Sequence, residues 1–484
     1  MPTPVCRGLM FSLAPDDSSQ PALEMSNRPD EKATRASDGR GRLLAPALVF
    51  GIFGVCLVRL VGFVHDNAVD VLYNDQWDTL RTLFEGRGPG SAFFLQHGPP
   101  RLGLGGLINW YLYNATQWDV RAEAWAGVVV LGLATLAAIA LAVRLRGRLA
   151  WTDAAFPLLL LSPVHWETLT FTTFLGAQIL PLLLTLLLAY AWSATSRITQ
   201  ILGVGLFGTL ALFTGYGFCG APVTIGLAML LWLRPDRETA RADRRSAMLI
   251  LLLMGAAMAL FAHEYHWSPG KEDWRFPVTN WWDYPRFCAL MFTNLLGWRA
   301  ISVASVTAGA VLLGLVAAAF LTATMTIWRR HATPRARVVW ILTGTSLGYA
   351  MLTALGRLPT NLEAAFMWRY ITLMMPALCG LALAVEGWTS ARGPKGRLGF
   401  GVGWLALAGV VWSNFTPENY AATVARGKRL WVASYLETHD LDAANKAADF
   451  VVYVPEPASP RIAEKLRWLE QHHLSFFRTS PDQK

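Results

Sequence analysis

Long apolar runs restrict the fold of this chain more than any other feature. A bilayer core of roughly 30 Å needs about 20 apolar residues for each helix that crosses it. Eleven runs approach that length, at approximately 44–65, 122–143, 150–164, 172–194, 200–216, 218–233, 246–262, 301–327, 338–355, 370–386 and 398–413. The third, fifth and sixth are short, as suits helices wrapped by other helices. Only 15% of the 484 residues are charged, against about 25% in an average soluble protein, so a single soluble globule is excluded. The pattern predicts an all-α polytopic membrane protein. The net charge of +9 offers no wet basic face between apolar helices on which a nucleic acid would lie. Five cysteines lie far apart with no CxxC pair, which excludes a disulfide framework and a zinc ribbon.

The same charge orients the chain. With residues 1–43 in the cytoplasm, twenty-two Lys and Arg fall on that side and ten in the opposite loops before the tail. The positive-inside rule therefore predicts a multi-pass inner (plasma) membrane protein with a cytoplasmic N-terminus. Residues 1–43 read as a disordered cytoplasmic arm and 44–413 as the transmembrane domain. An odd number of crossings leaves residues 414–484 outside as a small extracytoplasmic domain. In it, 450–454 read as a short strand. Residues 460–472 read as a helix with Ile462, Leu466 and Leu469 on one face.

Polar residues gather on the outer side. The first outer loop, 66–121, interleaves Val71, Leu72, Leu80, Leu83 and Phe84 with Asp75, Asp78 and Arg81. A second amphipathic stretch carries Leu102, Leu104, Leu107, Ile108, Trp110, Tyr111 and Leu112. Both are expected as helices lying along the membrane surface, with Trp and Tyr at headgroup level. Asp75 and Asp78, three apart, share a face if that segment is helical. One suits a general base, and the second a neighbour that raises its pKa or helps to hold a cation. The plainer alternative is a solvated first turn whose acids suit the helix dipole. His165 and Glu167 sit at the outer mouth of a short helix. Arg357 and Arg369-Tyr370 bracket the turn between two late helices, where guanidinium groups suit a phosphate or snorkel to headgroups. His263, Glu264 and His266 match no metalloprotease spacing. Trp274, Trp281 and Trp282 read as an aromatic belt or a sugar-stacking shelf.

These features together resemble the GT-C membrane glycosyltransferases, above all the protein O-mannosyltransferase and aminoarabinose-transferase branch. Residues 97–121, from His97-Gly98-Pro99-Pro100-Arg101-Leu102 to Trp118-Asp119-Val120-Arg121, are similar to that branch's first-loop stretch. Glu167 falls where that branch has its second acid. The chain also resembles a group of uncharacterised bacterial membrane proteins. The shared residues are Asp75-Gln76-Trp77, Gln96-His97 with Arg101, Gly356-Arg357 with Arg369-Tyr370, and Leu474-Ser475-Phe476-Phe477. It departs from the mannosyltransferase pattern in having a single acid at Asn74-Asp75-Gln76 and a Glu at 167. The resemblance implies a GT-C-like bundle of about eleven helices with two amphipathic helices in the first outer loop. It implies transfer of a sugar from a polyprenyl-phosphate donor to a glycan, lipid or protein acceptor on the extracytoplasmic face. Asp75 or Asp78 would be the base, with Glu167 orienting the acceptor or the loop. His97, His165, Arg101, Arg357, Arg369 and Tyr370 would bind donor phosphate or substrate. No cofactor is required, and a divalent cation remains an option. The alternatives are a non-catalytic transporter or flippase of lipid-linked sugars, or a glycan ligase or polymerase.

Overall fold

The structure is a computed structural model. It describes residues 30–171, 175–234, 240–266, 277–329, 332–390, 392–413, 418–453 and 461–478. Residues Met1–Leu44 form one unit and Ala45–Lys484 another. In the first unit only helical backbone from Asp30 is described.

The second unit is a helical bundle, and the described residues contain no strand. Eight helices are long and apolar enough to cross a membrane. They are Leu44–Asn67, Arg121–Arg146, Leu175–Trp192, Gly215–Leu233, Asp243–Ala262, Val303–Arg329, Pro334–Arg357 and Trp368–Ser390. The other three expected runs are present as helix but differ in kind. Residues 150–164 fold as a 3-10 turn followed by the six-residue helix Ala155–Leu160. Arg197–Phe213 has seventeen residues, and Gly393–Ser413 is long but glycine-rich.

One large apolar core runs through the bundle, from Leu60 and Leu131 to Leu342 and Leu378. Pro376 lies inside the helix Ile371–Ser390 and has no N–H to continue its ladder. Ser346 of the neighbouring helix compensates. Its hydroxyl donates to the Leu373 carbonyl at 2.9 Å and accepts from the Ala377 N–H at 3.0 Å, a repair well suited to an apolar surround.

Polar groups collect at both ends of the bundle. At one end Arg146 donates two hydrogen bonds to Asp153, at 2.9 and 3.0 Å, and another to Glu386, which also pairs with Arg335 at 3.7 Å. The first loop, the turn at 163–170, the 357–370 turn and the tail meet at the other end. There Arg369 pairs with Glu167, and Lys428 with the Thr170 carbonyl.

The first loop differs from expectation. Its first amphipathic stretch is not one helix but two single turns, Gln76–Thr79 and Arg81–Phe84. Asn74, at φ 46, breaks the chain just before them. The second stretch does fold, as Gly103–Ala115. On the second stretch Tyr111 is 60% exposed, whereas the apolar residues of the first stretch turn inward. Val71, Leu72, Trp77, Leu80 and Leu83 form a second core with Tyr113 and Trp118 and with Trp431, Tyr435, Leu466 and Leu469 of the tail. The expected helix is there as Ile462–Gln471, whereas residues 450–453 are irregular. Asp449 turns left-handed at φ 45, and the Val452 carbonyl accepts a hydrogen bond from the Asn74 N–H at 2.8 Å. A strand needs a neighbour along its whole edge, and this segment meets helices instead.

Two glycines fix the loop to the bundle. A side chain on Gly103, which has φ 51, would begin 1.9 Å from the Phe213 carbonyl oxygen. One on Gly105 would begin 2.2 Å from the Gly176 Cα.

Candidate functional site

Asp75 leads into the single turn Gln76–Thr79, and its side chain is 48% exposed. Its carboxylate Oδ2 lies 3.8 Å from His97 Nε2. The imidazole is the main reason the carboxyl is held below the usual aspartate range, working against partial burial. Arg369 and Arg357 lower it further, so both guanidinium groups act on the same carboxylate. Residues some 280 positions apart in sequence thus share one electrostatic neighbourhood. Arg357 ends the helix Pro334–Arg357, is exposed, and adjoins the Tyr216 hydroxyl. Beneath the arginines, Tyr216, Tyr349 and Tyr370 pack edge-on, with ring centres 5.7 and 6.3 Å apart.

Glu167 starts a π-helical turn, Glu167–Phe171, a geometry common at functional positions. Its Oε2 accepts the Arg369 backbone N–H at 2.8 Å, and its Oε1 lies 3.7 Å from the Arg369 guanidinium. Burial pushes its carboxyl up, and Arg369 and Arg299 pull it back. Glu167 thus fixes Arg369 by both backbone and side chain.

The other expected residues are placed differently. Asp78 does not join Asp75 but is taken up by the tail. Its Oδ2 accepts the Tyr453 hydroxyl of the tail at 3.0 Å. Arg101 is buried, and carbonyl groups take up its guanidinium. It donates to Phe94 at 2.6 Å, to Phe261 at 3.1 Å and to His263. The latter two carbonyls lie at a helix C-terminus, where such groups lack partners. Arg101 is therefore a brace. Gln96 adds to it by pairing with the His266 backbone, donating at 2.7 Å and accepting at 3.0 Å. Within the Gln96-His97-x-x-x-Arg101 pattern, only His97 faces Asp75. His165 is fully buried, with Nδ1 3.0 Å from the Thr372 hydroxyl. An imidazole enclosed in the core does not reach a phosphate at the surface.

Arg299 belongs to the site and was only a loop charge in the sequence. Its guanidinium lies 3.0 Å from the centre of the Trp368 ring and donates to Asn294 at 3.2 Å. Burial pushes its pKa down to about 9, opposed by Glu167. A lone arginine after Gly297-Trp298, at the end of an amphipathic helix, was the available signal.

Lys428 of the tail helix Glu418–Thr438 was also not anticipated. It is buried, donates to the Thr170 carbonyl at 3.0 Å and lies 4.8 Å from the Tyr73 ring centre. It joins the Glu167 turn to the residues before Asp75. Beside it, Glu123 accepts from Gln76 at 3.0 Å, Tyr113 at 3.0 Å and Asn109 at 3.3 Å. The stacked, exposed pair Trp281–Trp282 has ring centres 3.9 Å apart, and Trp274 lies outside the described residues. No three His, Cys, Asp or Glu side chains converge among the described residues. Set beside family models, curated proteins and solved structures, the chain matches none of them.

Proposed function

We propose that the chain is a GT-C-like membrane glycosyltransferase that moves a sugar from a polyprenyl-phosphate donor to a glycan, lipid or protein acceptor. The observation that carries this reading is the sharing of one neighbourhood by the Asp75 carboxylate, His97, Arg357 and Arg369. In the reaction the acceptor oxygen forms a bond to the anomeric carbon as the bond from that carbon to the phosphate oxygen breaks. The acceptor proton passes to Asp75. The leaving polyprenyl phosphate gains a negative charge, which Arg357 and Arg369 stabilise. An ionised Asp75 is ready to take a proton at neutral pH. Its pKa is low while the arginines face it alone. A bound phosphate offsets their field and raises the basicity of the carboxylate, so donor binding prepares the base. Glu167 holds Arg369 in place, and Arg299 adds positive charge behind it. No step requires a cofactor.

On this reading the site faces the extracytoplasmic side of the inner membrane, following the excess of Lys and Arg at the other end. Eleven crossings require the shorter or glycine-rich segments 151–165, Arg197–Phe213 and Gly393–Ser413 to cross as well as the eight long helices. A flippase would use the arginines but has no need of a carboxylate base.

The test is Asp75→Asn in purified protein supplied with a polyprenyl-phosphate sugar. Transfer is expected to fall by about 10²–10⁴-fold, the usual contribution of a general base, while donor binding persists. Full transfer by the variant overturns the assignment.

A further inference from the structure

Two separate supports bring His97 to Asp75, and each is built more firmly than a surface ion pair requires. His97 opens the turn His97-Gly98-Pro99-Pro100. Its N–H donates to the Pro100 carbonyl at 3.1 Å, and the Leu102 N–H donates to the Leu95 carbonyl at 2.9 Å. Gly98 supplies the left-handed conformation of the turn, at φ 63. The Gln96 side chain donates across it to the Gly98 carbonyl at 3.0 Å, and the Tyr265 hydroxyl donates to the Pro99 carbonyl at 2.8 Å. Arg101, just past the turn, anchors it to the Phe261 and His263 carbonyls. The two prolines stiffen what remains.

Asp75 is held as closely from its own side. The Tyr73 N–H donates to the Gln76 side chain at 2.8 Å, and the Asn74 N–H to the Val452 carbonyl at 2.8 Å. The Asp75 carbonyl accepts from the Asp78 and Thr79 N–H groups, at 3.1 and 2.9 Å. Both backbones are therefore fixed, and only the two side chains are left to move. Among the described residues, His97 is the sole basic side chain within ion-pair distance of the Asp75 carboxylate, and it approaches Oδ2. An exposed ion pair adds at most about 1 kcal/mol to stability. This much bracing suits a geometric task instead.

We infer that His97 is a positioning residue for Asp75: its ring N–H holds carboxylate Oδ2, so that Oδ1 is the atom that takes the proton of the acceptor hydroxyl. The inference rests on the transferase reading. It replaces the phosphate-binding role that the resemblance implies for His97. The tautomer with its proton on Nε2 serves, and so does the protonated ring. The gap of 3.8 Å is wider than a hydrogen bond. Contacts to a general base are often long before substrate binds and tighten with it. With one oxygen held, the plane of the carboxylate is set and the other oxygen stays aimed at the acceptor. The groups that face Asp75 are His97 from the first-loop turn and Arg369 and Arg357 from the late turn. All three favour the ionised carboxylate, His97 most strongly.

The experiment compares wild type, His97→Leu and His97→Gln as full chains in nanodiscs. Leucine removes the ring N–H, whereas glutamine carries an amide N–H to a similar place. In the first arm, farnesyl-phosphate mannose is the donor and an alkyl glucoside the acceptor. His97→Leu is expected to lower kcat about tenfold, the value of one charged hydrogen bond, with donor KM unchanged. The acid limb of its pH–rate profile should move to higher pH, and His97→Gln should restore most of kcat. Wild-type kcat in His97→Leu, a loss confined to donor KM, or a glutamine variant no better than the leucine one overturns the inference. The second arm needs no transfer. A carbodiimide labels the protonated Asp75 carboxyl across a pH series, and mass spectrometry locates the label. The labelling midpoint is expected at higher pH in His97→Leu than in wild type, and an unchanged midpoint overturns the pairing while leaving Asp75→Asn to judge the transferase. A shifted midpoint with no transfer by the wild type leaves the pair standing and counts against the transferase.

Discussion

The two ends of the bundle carry similar residues in opposite states of balance. At one end Arg146 and Arg335 face Asp153 and Glu386, two cations to two anions, with hydrogen bonds filling their edges. At the other end Arg299, Arg357 and Arg369 face Glu167 and the partly exposed Asp75. The first cluster is complete without a ligand and ties three segments together. The second holds more positive charge than its acids neutralise. A protein retains such an imbalance where an anion completes it, because an uncompensated charge near apolar surroundings is otherwise costly. Counting charges against their partners, rather than counting charges alone, separates brace from binding site.

The comparison is broken most directly by Arg357→Gln. It is expected to weaken binding of an isoprenyl phosphate by at least about tenfold with no fall in melting temperature, because Arg357 is exposed. It also removes one of the groups that hold the Asp75 carboxyl down. On the proposed reading Asp75 acts when ionised, so activity is expected to be kept at neutral pH and lost only as pH falls through its lowered pKa. In the variant that acid limb should move toward higher pH, which a pH–rate profile reads. The converse variant is Arg146→Ala. Removing one member of a buried ion network is expected to cost about 3–5 kcal/mol of stability while isoprenyl phosphate affinity stays unchanged. Equal effects of the two variants on binding would erase the distinction.

Gly105→Val tests the seat of the first loop. Forcing a side chain against Gly176 is expected to cost roughly 1–3 kcal/mol, seen as a lower unfolding temperature and easier proteolysis of the loop. Lys428→Met tests the tail contact through its pH dependence. Burial pushes the Lys428 pKa down to about 7, whereas the unfolded lysine titrates near its ordinary value of about 10.4. Between those values the unfolded chain binds the extra proton, so stability rises with pH across that window. The variant is expected to flatten that rise, which thermal unfolding at pH 7 and pH 10 measures.

Much of the architecture was legible because the membrane makes apolar length a strict signal. Eight of the eleven runs are helices long enough to span, and the first loop does bring Asp75 toward Arg357 and Arg369. What was not legible depended on choice of partner. Arginine donates equally well to a phosphate and to the open carbonyls of a helix end, and Arg101 took the carbonyls. Asp78 and Asp75 look equivalent at a spacing of three, until the tail's Tyr453 takes the one and His97 the other. His165 borders an apolar run, and only packing decides that it is enclosed. Apolar residues spaced as for a surface helix serve equally well to meet a second domain, and here they meet the tail.

That meeting has a consequence for how the protein is made. The Asp70 carboxylate is held by Arg478, 408 residues later, and Trp77 by Lys465, 388 residues later. At synthesis rates of about 5–20 residues per second, the loop that carries Asp75 waits roughly twenty seconds or longer for the surface it folds against. During that wait its tryptophan and leucines stand uncovered. A chain cut short before Leu466 would lack the tail surface against which the Asp75 turn packs, so that turn is expected to stay unassembled in an unfinished product.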